Sequence, residues 1–409
     1  MSNNVVTATM QLSRPTVGME SYLTGDPKQS IFSSYEHQQH TPYARNTAIV
    51  PFSQKVGYGR TLSAEIPYVG DLLADVHLHF RLPPLAIPEG STFVGYTNTI
   101  GYAMIESVEL RIGEKSIVTR SDVFLEVMDY LETGANKKIA KGKAVGRYDT
   151  VNVLSHNAVG HQDLYVPLNL WLDKRPASAL PLLKLGGLPV RVVVKLKPFS
   201  SCVTYDGPVP PVECAPTEAG LIAYYYVLSD DEKVAFQEED QVYLIDQWQI
   251  EEREIPAGMS RNRFRLDFNL SVKELVWVLV EKTSEENNDF FNYGRRDAYF
   301  QGGEFINAFS FYLDGRELIS RLPESHARLN WPARHHTFAG DRNIYVLPFA
   351  EYPEILHQSS GTCNFSSYDT IELGLDFVQN LPSTKLHIAA ISYNRLIISE
   401  NGFTLEFLT

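Results

Sequence analysis

Short runs in which apolar and polar residues alternate dominate the chain, and they predict β-strands. Residues 75–82 show the pattern most clearly, with apolar side chains at the even positions and His77, His79 and Arg81 on the opposite face. The most apolar run, Leu275–Val280, has the length of a strand and is far shorter than the ~18 residues that span a bilayer. Similar runs occur at 48–52, 62–66, 107–112, 189–196, 243–245, 264–268, 309–313, 344–347, 370–375, 386–391 and 403–407.

Two segments depart from the strand pattern and predict helices. Residues 121–133 place apolar side chains at helical spacing, with Ser121 as the N-cap and Gly134 as the stop. Residues 229–232 have the Ser-x-x-Glu form of a capping box. One helix among so many strands in the first half indicates an insertion between strands and not a βαβ repeat.

The length and the punctuation of the chain predict two all-β domains. A chain of 409 residues fits two domains of roughly 200 residues each. About eight strand candidates fall in each half, which is the strand number of a jelly roll. The Pro-rich and Gly-rich stretch 198–220 is the best boundary, and no internal sequence repeat is evident. We therefore predict an arm at 1–20, a first jelly roll at 21–205, a linker at 206–220 and a second jelly roll at 221–409.

Composition and charge describe a folded protein that does not bind nucleic acid directly. Hydrophobic residues make up 44% of the chain and charged residues 21%, which is typical of a globular protein. The net charge is -13, from 36 basic and 49 acidic residues, whereas a duplex-binding protein normally carries a basic face or tail. The basic clusters at 295–296 and 334–336 lie among acidic or apolar residues, and we interpret them as surface, loop or interface groups.

The cysteines and the N-terminus predict synthesis in a reducing compartment. Cys202, Cys214 and Cys363 form no CxxC pair, and their odd number argues against a disulfide framework, although Cys202 and Cys214 flank a Pro-rich loop and can in principle pair. The start at Met1 lacks the basic and apolar regions of a signal peptide. We expect cytoplasmic synthesis and no secretion by the standard route.

Candidate catalytic and metal-binding chemistry is weak throughout the sequence. Nucleotide-binding glycine motifs and a Gly-x-Ser-x-Gly elbow are absent. Carboxylates cluster at 251–254 and 285–286, but acid–base work needs carboxylates held across a cleft. His77 and His79 share a strand face and can supply two legs of a cupin-like metal site, yet the further His and Glu are not found. We predict no catalytic residue, no metal ligand and no cofactor.

Two Asn-x-Ser sequons complete the candidate chemistry. They begin at Asn269 and Asn364 and lie in or beside predicted strands. Because no signal peptide directs the chain to the secretory pathway, we expect neither to be glycosylated by the host pathway.

Several segments resemble the major capsid proteins of nucleocytoplasmic large DNA viruses, such as iridoviruses and phycodnaviruses. The resemblance covers most of the chain in order, and its specificity comes from the combination. Two departures are Ser359, where the family usually has Pro, and Ser121–Phe124, where Gly-Glu-Trp is common. The segments are Tyr22–Pro27, Ile31–Phe32, His40–Ala44, Ile66–Leu73, Ile100–Gly113, Leu180–Leu183, Pro348–Phe349, Ser359–Ser366, Ile391–Ile398 and Asn401–Gly402.

This resemblance implies a double jelly roll with a structural role and no enzymatic activity. Three copies are expected to form a homotrimer with a pseudo-hexagonal outline, and these capsomers are expected to tile the icosahedral shell of a virion assembled in the host cytoplasm. The implied partners are neighbouring capsomers, minor capsid and penton proteins, and inner-membrane-associated viral proteins reached through the arm at 1–20. The loop 287–303, rich in Asn, aromatic and Arg residues, is expected at the outer tip or at a subunit contact. Two alternatives stay open: a minor capsid paralogue of the same fold, and a jelly-roll carbohydrate-binding or cupin-like module.

Overall fold

A computed structural model describes residues 40–148, 151–295, 303–399 and 402–407. The chain divides into Met1–Pro42, of which only 40–42 are described, and a compact unit Tyr43–Thr409 that contains every element named below. The predicted arm at 1–20 and the segments 22–27 and 31–32 lie outside the described residues. No helix in the described part of the chain is long and apolar enough to cross a bilayer.

The first part of the compact unit is a strand-rich domain with helices in its long connections. Its strands are β1 (Tyr43–Pro51), β2 (Thr61–Glu65), β3 (Leu72–Leu82), β4 (Val94–Tyr96), β5 (Ile105–Ile112), β6 (Lys115–Ser121), β7 (Gln162–Pro167), β8 (Leu180–Pro181), β9 (Val190–Leu196), β10 (Val203–Tyr205) and β11 (Glu218–Leu228). Its helices are α1 (Ile100–Ala103), α2 (Asp122–Glu132), α3 (Lys138–Val145) and α4 (Val151–Ala158).

The second part repeats this plan with shorter insertions, and α5 (Asp230–Glu238) connects the two parts. Its helices are α6 (Lys282–Glu286) and α7 (Trp331–His335). Its strands are β12 (Gln241–Ile255), β13 (Arg261–Arg265), β14 (Ser271–Glu281), β15 (Ile306–Leu313), β16 (Arg316–Pro323), β17 (Ile344–Pro348), β18 (Cys363–Asn364), β19 (Ile371–Phe377), β20 (Thr384–Ser399) and β21 (Gly402–Leu405).

Both parts have the strand order of a jelly roll. The first contains the antiparallel sheets β1-β11-β3-β7 and β2-β9-β5-β6, and the second contains β12-β20-β14-β17 and β13-β19-β15-β16. In each part the first sheet holds the first, eighth, third and sixth of the eight principal strands, and the second sheet holds the rest. The predicted fold, an all-β double jelly roll with short helical insertions, is confirmed.

The duplication extends to the irregularities of the strands. A β-bulge interrupts the third strand at Ala74 in the first jelly roll and at Lys273 in the second, each after the second residue of the strand. A second bulge lies at Ile117 in β6 and at Leu318 in β16, three residues into the outgoing strand of a two-residue hairpin. Because a bulge fixes register, these four residues align the two jelly rolls position by position.

Alternation predicts these strands because each sheet has one face in the core of its own jelly roll. On β3 the apolar side chains of residues 76, 78, 80 and 82 are fully buried. Asp314 and Gly315 form the turn between β15 and β16, with both residues at positive φ (49° and 71°), as a two-residue hairpin turn requires.

The predicted domain boundary is wrong. Strand β11 pairs with β1 along its whole length and with β3, so residues 218–228 complete the first jelly roll. The Pro-rich stretch is therefore a connection between β10 and β11 inside that domain, and not a linker between domains. Its Asp206 carboxylate accepts hydrogen bonds from the backbone N–H groups of Thr92 and Phe93, both at 2.9 Å. The second jelly roll begins after Leu228, through α5.

The helix predictions are confirmed in position and incomplete in number. Helix α2 begins after Ser121, and α5 begins after Ser229, but neither serine side chain makes the expected capping hydrogen bond. The first jelly roll also carries α3 and α4, so its insertion is larger than the single predicted helix. All three insertion helices lie between β6 and β7.

Candidate assembly faces

The sheet β12-β20-β14-β17 is buried on both of its faces. On β14, Leu275, Trp277 and Leu279 point into the core of the second jelly roll. The alternate residues Val276, Val278 and Val280 point the other way and belong to one continuous buried cluster with the core of the first jelly roll. The run 275–280 is therefore the most apolar in the chain because both sides of this strand are covered by protein.

The outward side of this sheet forms a contact between the two jelly rolls, which we call the junction. Neighbouring strands extend it with Ile344 and Val346 on β17 and with Ala389 and Ile391 on β20, all at most 2% exposed. The first jelly roll contributes α2 and the edge strand β6, and β6 lies against β12. So much shared apolar surface makes the two jelly rolls one folding unit.

A buried ionic cluster fixes α2 in the junction. Glu126 on α2 is fully buried and lies beside the guanidinium groups of Arg342 and Arg147, with 3.1 Å to the latter. The phenol of Tyr293 donates a hydrogen bond to Glu126 at 3.0 Å. Burial acts to raise the pKa of Glu126, but the two arginines, with Arg342 the stronger, hold that pKa below its usual value. Arg342 also donates a hydrogen bond to the carbonyl of Phe291.

A second polar contact joins the strand edges at the junction. Arg120 on β6 is fully buried, its guanidinium lies 3.2 Å from the Asp246 carboxylate, and it stacks 4.0 Å from the ring centre of Trp248. The side-chain amide of Gln247 donates a hydrogen bond at 3.3 Å to the backbone carbonyl of Ile117. Burial acts to raise the pKa of Asp246, but Arg120, with smaller contributions from Lys273 and Lys174, lowers that pKa to about 2. These contacts align β6 with β12.

The equivalent sheet of the first jelly roll, β1-β11-β3-β7, has an outward side that no other part of the described chain buries to this degree. With the bulges aligned, His77, His79 and Arg81 stand where the second jelly roll has Val276, Val278 and Val280. We call this side the open face. Its exposed apolar groups include Ile49 and Tyr43 on β1, at 78% and 50%, and Tyr165 on β7, at 43%. Ile222 and Tyr224 on β11 lie on the same side.

The edge strand of the second jelly roll is also uncovered. In β6 the bulged residue Ile117 is 1% exposed, because β6 lies in the junction. Its equivalent Leu318 in β16 is 56% exposed, and most of the other residues of Arg316–Pro323 are exposed too. We call this strand the exposed edge. Within the described residues, the open face and the exposed edge are thus the uncovered equivalents of the two sides of the junction.

The histidine predictions have different outcomes. His77 pairs with Asp75 at 2.8 Å, and His79 stacks on Tyr165 at 5.0 Å between ring centres. Within the described residues no cluster of three or more His, Cys, Asp or Glu side chains is placed to hold a metal ion. The half-buried rings of His77 and His79 therefore belong to the open face.

His336 lies in the loop after α7, as predicted, but its side chain is buried and is not a surface group. Its Nε2 lies 3.0 Å from Glu274 and its Nδ1 lies 3.0 Å from Glu354. Burial acts to lower the pKa of His336, but Glu274 and then Glu354 raise it to about 10. The imidazolium thus bridges β14 and the segment after β17. The neighbouring His335 instead contacts the backbone carbonyl of Glu351 at 2.9 Å.

The clustered carboxylates lie in ion pairs on the surface of the second jelly roll. Glu252 and Glu285 flank the Lys385 ammonium, each at 3.2 Å, and Glu252 also contacts His387 at 3.2 Å. Glu251 pairs with Arg253. Paired with cations in this way, the carboxylates have none of the cleft geometry that acid–base catalysis needs.

The cysteines and sequons occupy distinct places. Cys202, Cys214 and Cys363 are all free thiols. The two sequons lie side by side, because Ser271 of one pairs with Asn364 of the other in the β14–β18 ladder. Both asparagines are exposed. The expectation that the host pathway leaves them unmodified stays a prediction.

The loop at 287–303 is described only in part, as 287–295 and 303. The side-chain amide of Asn288 donates hydrogen bonds to the carbonyls of Ser200 and Val203 at 2.6 and 2.8 Å. Phe291 and Tyr293 are buried in the junction cluster. This part of the loop therefore joins the two jelly rolls within one chain.

Comparison with known families accounts for these features. Residues 30–219 match the model for the N-terminus of the major capsid protein, and residues 232–403 match the model for the large eukaryotic DNA virus major capsid protein. The chain belongs to the family of large eukaryotic DNA virus major capsid proteins. As a member of this family it is a structural protein of the virion capsid, and the resemblance seen in the sequence is confirmed.

Relatives of this capsid protein span nearly its whole length. It is 24% identical to the major capsid protein of Phaeocystis pouchetii virus over 92% of this chain and 95% of that protein. It is 25% identical to the major capsid protein of Pyramimonas orientalis virus, over 92% and 93% of the two chains. Among solved structures, it matches a quasi-atomic model of the PBCV-1 virus capsid with a TM-score of 0.80, at 22% identity, over 93% of this chain and all of that one. These matches carry the fold, a double jelly roll.

Proposed function

We propose that this capsid protein is the principal tile of its shell, and that three copies associate into a pseudo-hexagonal capsomer. The observation that supports the proposal is the unequal treatment of two equivalent surfaces. The first jelly roll covers the outward side of the second. The open face and the exposed edge are the surfaces equivalent to the two sides of that contact, and both are uncovered in the described part of the chain. A surface pair of this kind is heterologous, so copies that use it join head to tail, and they close into a ring when the rotation between copies is a whole fraction of a turn.

The duplication of the jelly roll supports a ring of three copies. Each chain carries two jelly rolls of the same topology, so a ring of three chains contains six similar units and has a nearly hexagonal outline. Hexagonal tiles cover a flat facet without gaps, and the remaining contacts between tiles can be weak and repeated. The proposed partners are therefore other copies, neighbouring capsomers, and minor capsid and penton proteins. No catalysis, cofactor or direct nucleic-acid contact is part of this role.

The mass of the purified chain tests the trimer. We expect light scattering at near-neutral pH to give a sharp species at three times 46.2 kDa, which electron microscopy shows with a hexagonal outline. A monomeric mass at every concentration, or a twofold dimer, contradicts the proposed capsomer.

The arm at 1–20 is proposed to contact the inner side of the shell, including inner-membrane-associated viral proteins, in a virion assembled in the host cytoplasm. The proposal rests on its polar, weakly patterned sequence, since such a segment gains order from a partner. We expect deletion of residues 1–20 to leave the trimer mass unchanged and to reduce the yield of closed shells at least several-fold. Full shell yield from the deleted chain contradicts this role.

A further inference from the structure

The open face and the exposed edge are matched to each other, and the match identifies residues. We infer that the contact between neighbouring copies repeats the junction inside the monomer, with the exposed edge β16 of one copy against β1 and the open face of the next. The inference rests on the proposed function, because it takes association of copies as given and assigns the surfaces that meet.

The inserting side of the contact is assigned from the hairpin bulges. Ile117 and Leu318 are the bulged residues of equivalent strands, β6 and β16. In the junction, Ile117 is 1% exposed and its carbonyl accepts the hydrogen bond from Gln247. Leu318 has the same backbone position and is 56% exposed. An uncovered edge strand can receive another chain, and Leu318 places an apolar side chain on this edge at the position where Ile117 is buried.

The receiving side is assigned from the strand registers. Gln247 on β12 pairs with Ser392, which pairs with Val272, the residue before the bulge at Lys273. In the first jelly roll, Asn46 on β1 pairs with Tyr225, which pairs with Leu73, the residue before the bulge at Ala74. Asn46 is thus the equivalent of Gln247.

The side chain at that position has the chemistry that the contact needs. Both residues carry a side-chain carboxamide. In the junction, the carbonyl of the bulged residue accepts a hydrogen bond from a carboxamide N–H. Asn46 is exposed and donates to the carbonyl of Val69 at 3.0 Å. The assignment therefore places the Asn46 side chain of one copy beside the backbone of Leu318 in the next.

The repeat is inexact in a way that suits reversible assembly. Arg45 stands where the junction has Asp246, and Thr47 stands where it has Trp248, so the contacts of Arg120 have no counterpart between copies. His77, His79 and Arg81 replace three valines. A contact with polar and charged side chains in place of a sealed apolar core is weaker, and copies can separate without unfolding.

Cross-linking of cysteine variants of the full chain tests the assignment. Asn46→Cys and Leu318→Cys are introduced together, and the purified protein is treated with a short bis-maleimide. We expect covalent species of two and three chains with none larger, because a closed head-to-tail ring of three contains three such pairs. The variants with one substitution measure the background from Cys202, Cys214 and Cys363.

The matched control combines Leu318→Cys with Val212→Cys. Val212 is 84% exposed and lies in the connection before β11, outside the open face. We expect the Asn46/Leu318 pair to exceed this control at least tenfold in cross-linked trimer. A trimeric mass with no excess over the control overturns the inference and leaves the proposed capsomer intact. A cross-link in the Leu318→Cys variant that peptide mapping places between position 318 of two copies also overturns it, because that result requires two identical edges to meet. A monomeric mass contradicts the proposed function itself.

Discussion

Replacement of Arg342 by methionine is expected to lower the free energy of unfolding by about 3–5 kcal/mol. The change removes the stronger of the two cations that neutralise Glu126, a carboxylate with no exposed surface, and an uncompensated buried charge costs that much. It also removes the hydrogen bond to Phe291, which anchors the loop after α6. Because the cluster spans both jelly rolls, we expect a loss of cooperativity, with two transitions in urea where the native chain has one.

The control is Arg334→Met, a change of the same size on an exposed position of the same connection between β16 and β17. It is expected to alter stability by less than about 0.5 kcal/mol. Equal denaturation midpoints for the two variants contradict the account of the junction, since they mean that Glu126 is not held by Arg342.

Replacement of His336 by glutamine is expected to destabilise the protein by about 3–5 kcal/mol near pH 6, with the difference shrinking as the pH rises towards 10. The pKa of His336 is raised from 6.5 to about 10 by Glu274 and Glu354 after the opposing effect of burial. A raised pKa stabilises the fold fully below the unfolded value of 6.5, and the contribution is lost as the pH rises through the folded value. The measurement is a series of urea denaturations between pH 6 and pH 10.

The contacts among His336, Glu274 and Glu354 also predict a smaller loss of stability at acid pH. His336 lowers the pKa of Glu354 from 4.5, against the opposing effect of burial, so this contribution is present above pH 4.5 and is lost as the pH falls. The control is His335→Gln, which changes a neighbouring half-buried ring and is expected to show a small difference that does not vary with pH. A pH-independent loss in the His336 variant contradicts the buried imidazolium.

Alternation of apolar and polar residues was enough to predict most principal strands and the fold class. It works because each sheet has one face in its own jelly-roll core, as on β3. It missed the strands β6, β7, β11 and β16. At β11 the Tyr224–Tyr226 run hides the alternation, and the preceding prolines suggested a boundary there. The proline stretch is a long connection, and only pairing with β1 and β3 reveals this. The local sequence of β11 does not show that it pairs with the distant strands β1 and β3.

The junction could be predicted only in outline. The uninterrupted apolar run at 275–280 indicated a strand buried on both faces. Glu126 gave no signal of its own, because it shares one face of the helix with Asp122 and Asp129 and such a face is normally solvated. Arg342 is remote from Glu126 in the sequence, and Arg147 lies on another element. The sequence alone therefore could not predict that they pair with Glu126.

The equivalence of Ile117 with Leu318, and of Gln247 with Asn46, was not visible in the sequence for a related reason. It depends on strand register and on bulges, which appear only when the ladders are paired. Similar backbone positions carry different side chains, such as the valines of β14 and the histidines of β3. We attribute that divergence to the different neighbours, one in the same chain and one in the next copy.

The central claim is that one contact, made once inside the chain, is made again between chains. Cryo-electron microscopy of the purified oligomer tests it most directly, at a resolution that shows side chains. We expect a ring of six jelly rolls with three junctions within chains and three between them, and with Leu318 of each copy buried beside Asn46 of the next. A ring in which Leu318 stays exposed, or one in which identical edges meet, contradicts the claim.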